Sequence, residues 1–569
     1  MLDKLTPNII YNLVLSWILI SVMFLANSAF GLSDPAFFKS IKWIVFLIAV
    51  ILLWLMINRI SNQKFIKVVM ILFSTVYFTA ASAINRDYFF AAGLCAVLGV
   101  IIICTDISDL TPKVGNKVFY STVSGLVLLF IVVVGVNSCF LFLNHWAACY
   151  DFGIFSQMFH YMRETGIPYT TCERDMLMSH FAVHMSPVFY LILPVYYLFP
   201  SPVTLDIIQS IIVVSGVVPL ILIMKRHSIG KGAMMLFSAI YVLFPGFAGG
   251  CFYHLHENCF LAPLILWFIY YCEKEKWYGQ AIFAVLLLAV KEDAAVYVAI
   301  IVLYFLFTSK NYKCNLCIFI ASILYFVGVT RYLSALGDGV MMYRYNNYLF
   351  DGDSPMSIIS AVVTNPVYVI GQIATADKIK FILLSLMPLG FLPLMTKDYR
   401  RFILMLPWIL INLMPNYCYQ YDMRYQYCFG TCVLLIYLAV INYSDKKPSK
   451  MLLYGVCCAL IMCVCVNLDH LGYIGSYNRS AEKRAQINYA VSLVPKDSSV
   501  AATAFFVADF SDHDILYEIE STDKEAEYYV LDLRQSSNKY SITDYLNSRY
   551  EEIYYEPEVI AVFRRVGVG

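Results

Sequence analysis

Fifteen apolar runs follow one another along this chain, and they restrict its fold more than any other feature. They lie at residues 8–28, 42–57, 68–83, 88–104, 118–141, 204–224, 232–249, 259–272, 279–290, 294–308, 314–333, 380–396, 402–415, 427–443 and 451–467. A helix needs about 20 apolar residues to cross a bilayer, and inside hydrocarbon every backbone polar group must find its partner within the protein. Composition agrees, because 60% of the residues are apolar or aromatic and only 14% are charged. A soluble domain carries about 25% charged residues. The expected fold is therefore an all-α polytopic membrane protein with about 14–16 transmembrane helices. A net charge of +1 leaves no basic stripe for a phosphate backbone, so nucleic acid is not an expected partner.

Orientation follows from the loops. Alternating the runs from a cytoplasmic N-terminus puts segments 1–7, 58–67, 105–117, 225–231, 273–278, 309–313, 396–401 and 444–450 on one side. Together they hold nineteen Lys and Arg, among them Lys225, Arg226, Lys397, Arg400, Arg401, Lys446 and Lys447. The opposite loops are poorer in both, which is the positive-inside pattern and places the basic side in the cytoplasm. The first run lacks a small-residue cleavage pattern and reads as a retained helix rather than a signal peptide. Most of the 17 cysteines sit inside apolar runs, as Cys457, Cys458, Cys463 and Cys465 do, and act there as small hydrophobes. Cys149 and Cys172 share one loop and are candidates for a bridge.

Two segments resist simple counting. Residues 187–199 (PVFYLILPVYYLF) are apolar but short, and counting them as a crossing would break the charge pattern; a dipping or juxtamembrane helix is expected. Residues 279–308 are long enough for one helix, but Lys291-Glu292-Asp293 would then lie at mid-membrane, so two spans should meet at a turn there. After residue 467 the chain turns polar, with a helical pattern near 480–494 and strand-like alternation at 528–533 and 552–563. A soluble extracytoplasmic α/β domain over 468–569 is expected, on the side opposite the basic loops.

Chemistry collects in the loops of that same side. The longest, 144–186, holds Asp151, His160, Arg163, Glu164, Glu173, Arg174, Asp175, His180 and His184. Asp151 lies close to a membrane exit, where a carboxylate can take a proton from a hydroxyl, ligate a divalent cation, or cap the helix that follows. His180 and His184 lie four apart, the spacing of two metal ligands on one helix face or of two imidazoles at a polar interface, but HFAVH lacks the Glu of HExxH. A second loop offers His254, His256 and Glu257, and a third Lys291. A fourth carries Tyr343-Arg344-Tyr345 and Asp351-Gly352-Asp353, and a fifth Tyr417, Tyr419, Tyr421, Asp422, Arg424 and Tyr425. Aromatics interleaved with charge serve as interface anchors or as a sugar-binding surface. The cytoplasmic loops show no Walker A loop and no GxGxxG, which speaks against a nucleotide-driven enzyme on that face.

The runs YDFGIFSQMFHYMRETGIPY and SHFAVHMSPVFYLILPVYYLF, with HLHENCFLAPLILWFIYYCEKEKW, LLLAVKEDAAVYVAIIVLY, VAATAFFVADF and YYVLDL, resemble a broad prokaryotic family. It consists of predicted membrane proteins, catalogued as a domain of unknown function and related to the GT-C glycosyltransferases. The resemblance spans roughly residues 118–565. It divides the chain into additional N-terminal helices (1–117), a GT-C-like core with its loop 144–186 (118–467) and the tail domain (468–569). GT-C enzymes take a sugar from a polyprenyl-phosphate donor on the extracytoplasmic face. The resemblance implies that Asp151 is the catalytic carboxylate, and it puts His256, Glu257 and Lys291 at the donor. The sequence departs from better-known members at Phe152, which follows the aspartate, and at His184-Met185-Ser186-Pro187 in place of a KPP-like segment.

The expected function is transfer of a sugar from a polyprenyl-phosphate donor to an envelope glycan, lipid or protein by a multi-pass protein of the cell membrane. Asp151 would be catalytic; His256, Glu257, Lys291, Tyr343, Arg344 and Arg424 would bind substrate. Asp151, Glu257, His180 and His184 are the candidate ligands for a divalent cation. Two alternatives stay open: a transporter or flippase of a lipid-linked precursor, and a non-catalytic envelope assembly protein.

Overall fold

Hydrocarbon leaves an apolar run no choice but to pair its backbone internally, and each of the fifteen runs is helical. The computed structural model describes residues 2–29, 43–60, 62–105, 114–147, 150–337, 341–350, 352, 355–534 and 542–567. Asp351 and Asp353 lie outside the described residues. Among those described, seven helices are long and apolar enough to cross a membrane, from Lys64–Asn85 to Ser449–Arg479. Five more are apolar but shorter, including Trp43–Asn58, Trp277–Leu288 and Ala294–Thr308. The protein is a multi-pass, mainly helical membrane protein with a small C-terminal sheet.

The central helix is Phe429–Lys446, in which every residue from Phe429 to Tyr443 is buried. A helix apolar all round belongs inside a bundle, and the others wrap it. Two runs fold less regularly than their hydropathy suggests. In 376–394 the helix Ala376–Leu386 gives way to short 3₁₀ turns around Pro388 and Pro393, and 399–413 is a 3₁₀ turn followed by a π-helix around Pro407. Proline removes a donor and crowds the preceding turn, which accounts for the breaks.

Contacts at the helix ends link several of the basic segments. Arg226 pairs with Glu273 at 3.1 Å, Ser309 and the Lys310 amide donate to Glu275, Arg400 donates to the Phe307 carbonyl, Arg401 pairs with Asp445, and Lys450 donates to the Ile103 carbonyl. The basic segments thus gather at one end of the bundle. At the opposite end, the site end, Lys291 and its neighbours fill a turn between Trp277–Leu288 and Ala294–Thr308. Residues 187–199 form a 3₁₀ turn (Pro187–Leu191) and a short helix (Leu193–Leu198), whose rise of about 9 Å is far below a bilayer's thickness.

The tail also sits at the site end. Its sheet contains β3 (Val500–Ala502), β4 (Leu516–Glu518), β5 (Tyr528–Asp532), β6 (Tyr550–Glu556) and β7 (Ile560–Arg565), in the order β4-β3-β5-β7-β6. β3 is parallel to both β4 and β5, whereas β7 is antiparallel to β5 and β6. The helix Ala481–Ser492 contributes Ile487 and Ala490 to the sheet's apolar core. The alternation at 552–563 proves to be a hairpin, turned at residues 557–559. β3 and β4 escape a periodicity reading because three residues are too few to show a period. A further two-residue ladder, β1 (Tyr169–Thr170) with β2 (Met178–Ser179), closes the loop between the fifth and sixth runs.

Gly390 joins the broken helix to its neighbour. Its φ is +58°, and a Cβ there would run into the Met451 carbonyl oxygen. Gly390→Ala should therefore lower stability by about 2–4 kcal/mol, through a strained backbone and an overpacked contact. Thermal unfolding in detergent checks this, and an unchanged melting temperature would count against the close approach.

Candidate functional site

Five separate loops converge at the site end on one cavity of about 180 Å³. Its walls include Asp151, His180, His184, His256, Glu257, Lys291, Tyr343 and Arg344, together with Glu173, Tyr417, Gln426 and Tyr427. Of the nine residues assigned a catalytic, binding or metal role from sequence, eight therefore meet here. The exception is Arg424, which is absent from the walls. It forms a local two-residue fork on Asp422, with Nε 3.1 Å from Oδ1, and is half exposed. So short a turn lets the guanidinium reach its own loop's carboxylate before anything else.

The helix Tyr150–Thr165 carries Asp151 in its first turn, as its second residue rather than at the capping position. A carboxylate there meets the positive end of the helix dipole. Its side chain is 46% exposed, but the space it faces is the cavity. Asp151 Oδ2 lies 3.4 Å from His256 Nε2, and His256 Nδ1 lies 3.3 Å from the His254 carbonyl oxygen. Both neighbours of this imidazole are acceptors, one facing each ring nitrogen. Burial raises the Asp151 carboxyl, but the hydrogen bond and charge of His256 outweigh it and hold the group below its ordinary value.

Glu257 and Lys291 form a second couple, Nζ to Oε1 at 2.7 Å, with both side chains buried. Burial alone would neutralise each of them. Instead Lys291, His184 and His256 hold Glu257 well below the carboxylate range, and Glu257, Glu292 and Asp293 hold Lys291 well above the usual ammonium value. Lys291 is thus already neutralised within the protein. His180 Nδ1 is 2.8 Å from Glu173 Oε2, and His184 Nδ1 is 2.9 Å from Glu292 Oε1. Burial depresses His180, but Glu173 overrides this and raises it.

Arg344 is different. It rises from the 3₁₀ turn Met342–Tyr348, with its guanidinium 4.6 Å from the Tyr417 ring centre and 5.2 Å from that of Tyr427. Nη2 donates to the Tyr427 hydroxyl at 3.3 Å. The groups that hold its charge are tyrosines, and among the described residues no carboxylate pairs with it. Four buried atoms on the walls also lack partners among the described residues: His180 Nε2, Glu257 Oε2, Arg344 Nε and Gln426 Oε1. Buried polar atoms are nearly always satisfied, so a ligand or solvent in the cavity is their natural partner.

Among the described residues no three His, Cys, Asp or Glu side chains converge as a metal site. Each of the candidate cation ligands Asp151, Glu257, His180 and His184 already spends one atom on a protein partner, respectively His256, Lys291, Glu173 and Glu292. The Cys172 thiol is free and buried, and Cys149 lies outside the described residues.

The tail shapes the site as well. Ile154 and Cys172 belong to the same apolar cluster as Val500, Phe506, Val507 and Leu516. His145 Nδ1 lies 3.0 Å from both oxygens of Asp509. Arg534 stacks 4.0 Å from the Trp146 ring and donates to the His145 carbonyl. Gln157 Nε2 donates to Thr171 Oγ1 and to the His513 carbonyl, tying helix, loop and tail together. Gly153 faces Val507 so closely that a Cβ would overlap its side chain. The glycine after Asp151-Phe152 is thus a packing requirement, not a turn. Sequence reasoning missed Gln157, Gln209, Gln426, Tyr427 and Asp206. Only Asp206 carried a signal, as a carboxylate inside an apolar run.

Comparison with known proteins adds two findings. The profile of the predicted membrane protein family DUF2079 matches residues 143–560. A structure search returns the crystal structure of ArnT from Cupriavidus metallidurans bound to undecaprenyl phosphate, at 10% identity and a TM-score of 0.42, covering 78% of this chain and 99% of that one. No curated protein matches the sequence.

Gly153→Val should loosen the tail from the helix that carries Asp151, at a cost of about 1–3 kcal/mol. Limited proteolysis should then release a fragment beginning near residue 468 earlier than in the parent protein. Equal resistance of the two proteins would argue against this contact.

Proposed function

The chain belongs to the DUF2079 family of predicted membrane proteins, and we propose that it is a membrane glycosyltransferase of the GT-C type, moving a sugar from a polyprenyl-phosphate donor to an envelope acceptor on the extracytoplasmic face. One observation carries this reading. Asp151, whose carboxyl His256 holds below its ordinary value, and Arg344, which has no carboxylate partner among the described residues, share the walls of a single cavity at the end of the bundle away from the basic loops.

In this scheme Asp151 takes the proton of the acceptor hydroxyl as its oxygen attacks the anomeric carbon. The bond from that carbon to the phosphate oxygen breaks, the configuration inverts, and polyprenyl phosphate departs with the electron pair. Charge then grows on the phosphate, and a preorganised cation already stripped of water stabilises it better than bulk solvent could. Arg344, bedded on Tyr417 and Tyr427, is the residue suited to this. Lys291 is a weaker candidate than its sequence position suggested, because Glu257 already balances it. Its role is to keep the turn and Glu257 in place. Tyr343 and Tyr417 offer ring faces and hydroxyls to a sugar, and His180 Nε2 and Glu257 Oε2 offer acceptor or donor atoms to its hydroxyl groups. Nothing in the step requires a divalent cation.

Asp151→Asn should abolish transfer while leaving the protein inserted and folded. Arg344→Ala should weaken donor binding and turnover by about 10- to 100-fold. Mass spectrometry of envelope glycans and lipid intermediates from a deletion strain carrying each variant reads the outcome, the expected sign being a missing sugar beside accumulated donor. Full complementation by Asp151→Asn would remove the carboxylate from the mechanism. Asp151 is active when deprotonated and its carboxyl is held low, so its contribution is fully present at neutral pH. It is lost only as pH falls through a value below the ordinary aspartate figure of about 3.9. A rate that fell with a midpoint near pH 6 would have to be assigned to another group.

A further inference from the structure

We propose that Asp206 and His254 are a positioning pair that holds Asp151 and His256 in register without touching substrate. The proposal rests on the reading that Asp151 is the base of the site, with His256 as its hydrogen-bonded neighbour.

Asp206 lies in the second turn of the membrane helix Pro202–Ser215, where a carboxylate is expensive and calls for a dedicated partner. The partner is His254, whose Nδ1 is 3.0 Å and 3.1 Å from the two oxygens, with both side chains fully buried. Neither residue is among the walls of the cavity, so neither is placed to meet a ligand there.

His254 acts on both members of the couple. Its ring lies flat on Phe152, with centres 4.1 Å apart and planes 16° apart, and Phe152 is the residue next to Asp151. Its carbonyl oxygen faces His256 Nδ1 at 3.3 Å. Its backbone has φ +67°, a conformation that a residue bearing a side chain adopts only when its surroundings hold it there. The side-chain bond to Asp206 contributes to that hold, together with the His254 amide, which donates to the Cys251 carbonyl at 3.2 Å. One turn further along the same helix, Gln209 Oε1 accepts the His256 amide at 2.8 Å and Gln209 Nε2 donates to the Cys251 carbonyl at 3.1 Å. A single helix face thus grips the turn 251–256 at three points. The groups facing His256 from other elements are Asp151, Phe155 and, in its own loop, Tyr253.

The test compares three variants of the full-length protein in lipid nanodiscs. Asp206→Asn keeps an acceptor for His254 Nδ1 but removes the charge. Asp206→Leu removes both. Asp206→Leu with His254→Phe removes the polar pair while keeping a ring against Phe152 and leaving no unpaired charge, so it folds even if the single leucine variant does not. Amide hydrogen exchange at residues 150–153 and 253–258 should quicken about tenfold in both leucine variants and stay close to the parent's rate in Asp206→Asn. Turnover should fall by about tenfold or more in the leucine variants, with KM for the donor within about twofold, and should recover in Asp206→Asn. Parent-like exchange and turnover in the double variant would overturn the proposal, because the pair would then be replaceable packing. Equal losses in Asp206→Asn and Asp206→Leu would also overturn it, because charge rather than position would be at work. If Asp151→Asn retains transfer, the functional reading fails, while the exchange measurement still decides whether the pair sets the geometry.

Discussion

An ammonium and a carboxylate 2.7 Å apart, Lys291 on Glu257, are the contact on which the site end depends. Each charge would be prohibitive alone in so buried a position, and together they permit a polar turn between two apolar helices. That turn stops Trp277–Leu288 and Ala294–Thr308 from merging into one long helix. The same turn brings Glu292 to His184, and so binds the loop after the fifth run to the helices that follow it. Without this pairing the loops would have no common wall to form.

The rule extends around the cavity. His180 leans on Glu173, His184 on Glu292, His256 on Asp151, and His254 on Asp206. Most charges are therefore balanced inside the protein, which is what a low-dielectric setting demands. The departures from balance are what point to chemistry. Among the described residues Arg344 rests on tyrosines with no carboxylate, and four buried wall atoms, His180 Nε2, Glu257 Oε2, Arg344 Nε and Gln426 Oε1, lack protein partners. The tail belongs to this arrangement, since Val507 packs on Gly153 and Asp509 on His145, one on each side of Asp151 along the chain.

Much of the fold was legible in the sequence because the bilayer is an unforgiving solvent. Apolar runs had to be helices, the Lys-Glu-Asp triplet had to be a break, and the basic segments had to share one end. Other features were not legible. Proline broke the runs at 376–394 and 399–413 into 3₁₀ and π turns, which hydropathy does not register. β3 and β4 were too short to show alternation. Among candidate site residues, Arg424 misled because aromatic and charged neighbours in sequence do not reveal which way a turn will fold.

The sequence by itself determined that this is a multi-pass helical protein, and that its unusual polar residues belong to loops of one side. Periodicity and the energetic cost of burying charge act locally, so both can be read along the chain. Only the tertiary structure decided which of those residues meet, that Lys291 is spent on Glu257, that Arg344 meets tyrosines and no carboxylate among the described residues, and that Asp206 stands behind His254. Such pairings join positions 34 to 108 residues apart. Distances in space between loops depend on how every intervening helix packs, and no local pattern encodes them.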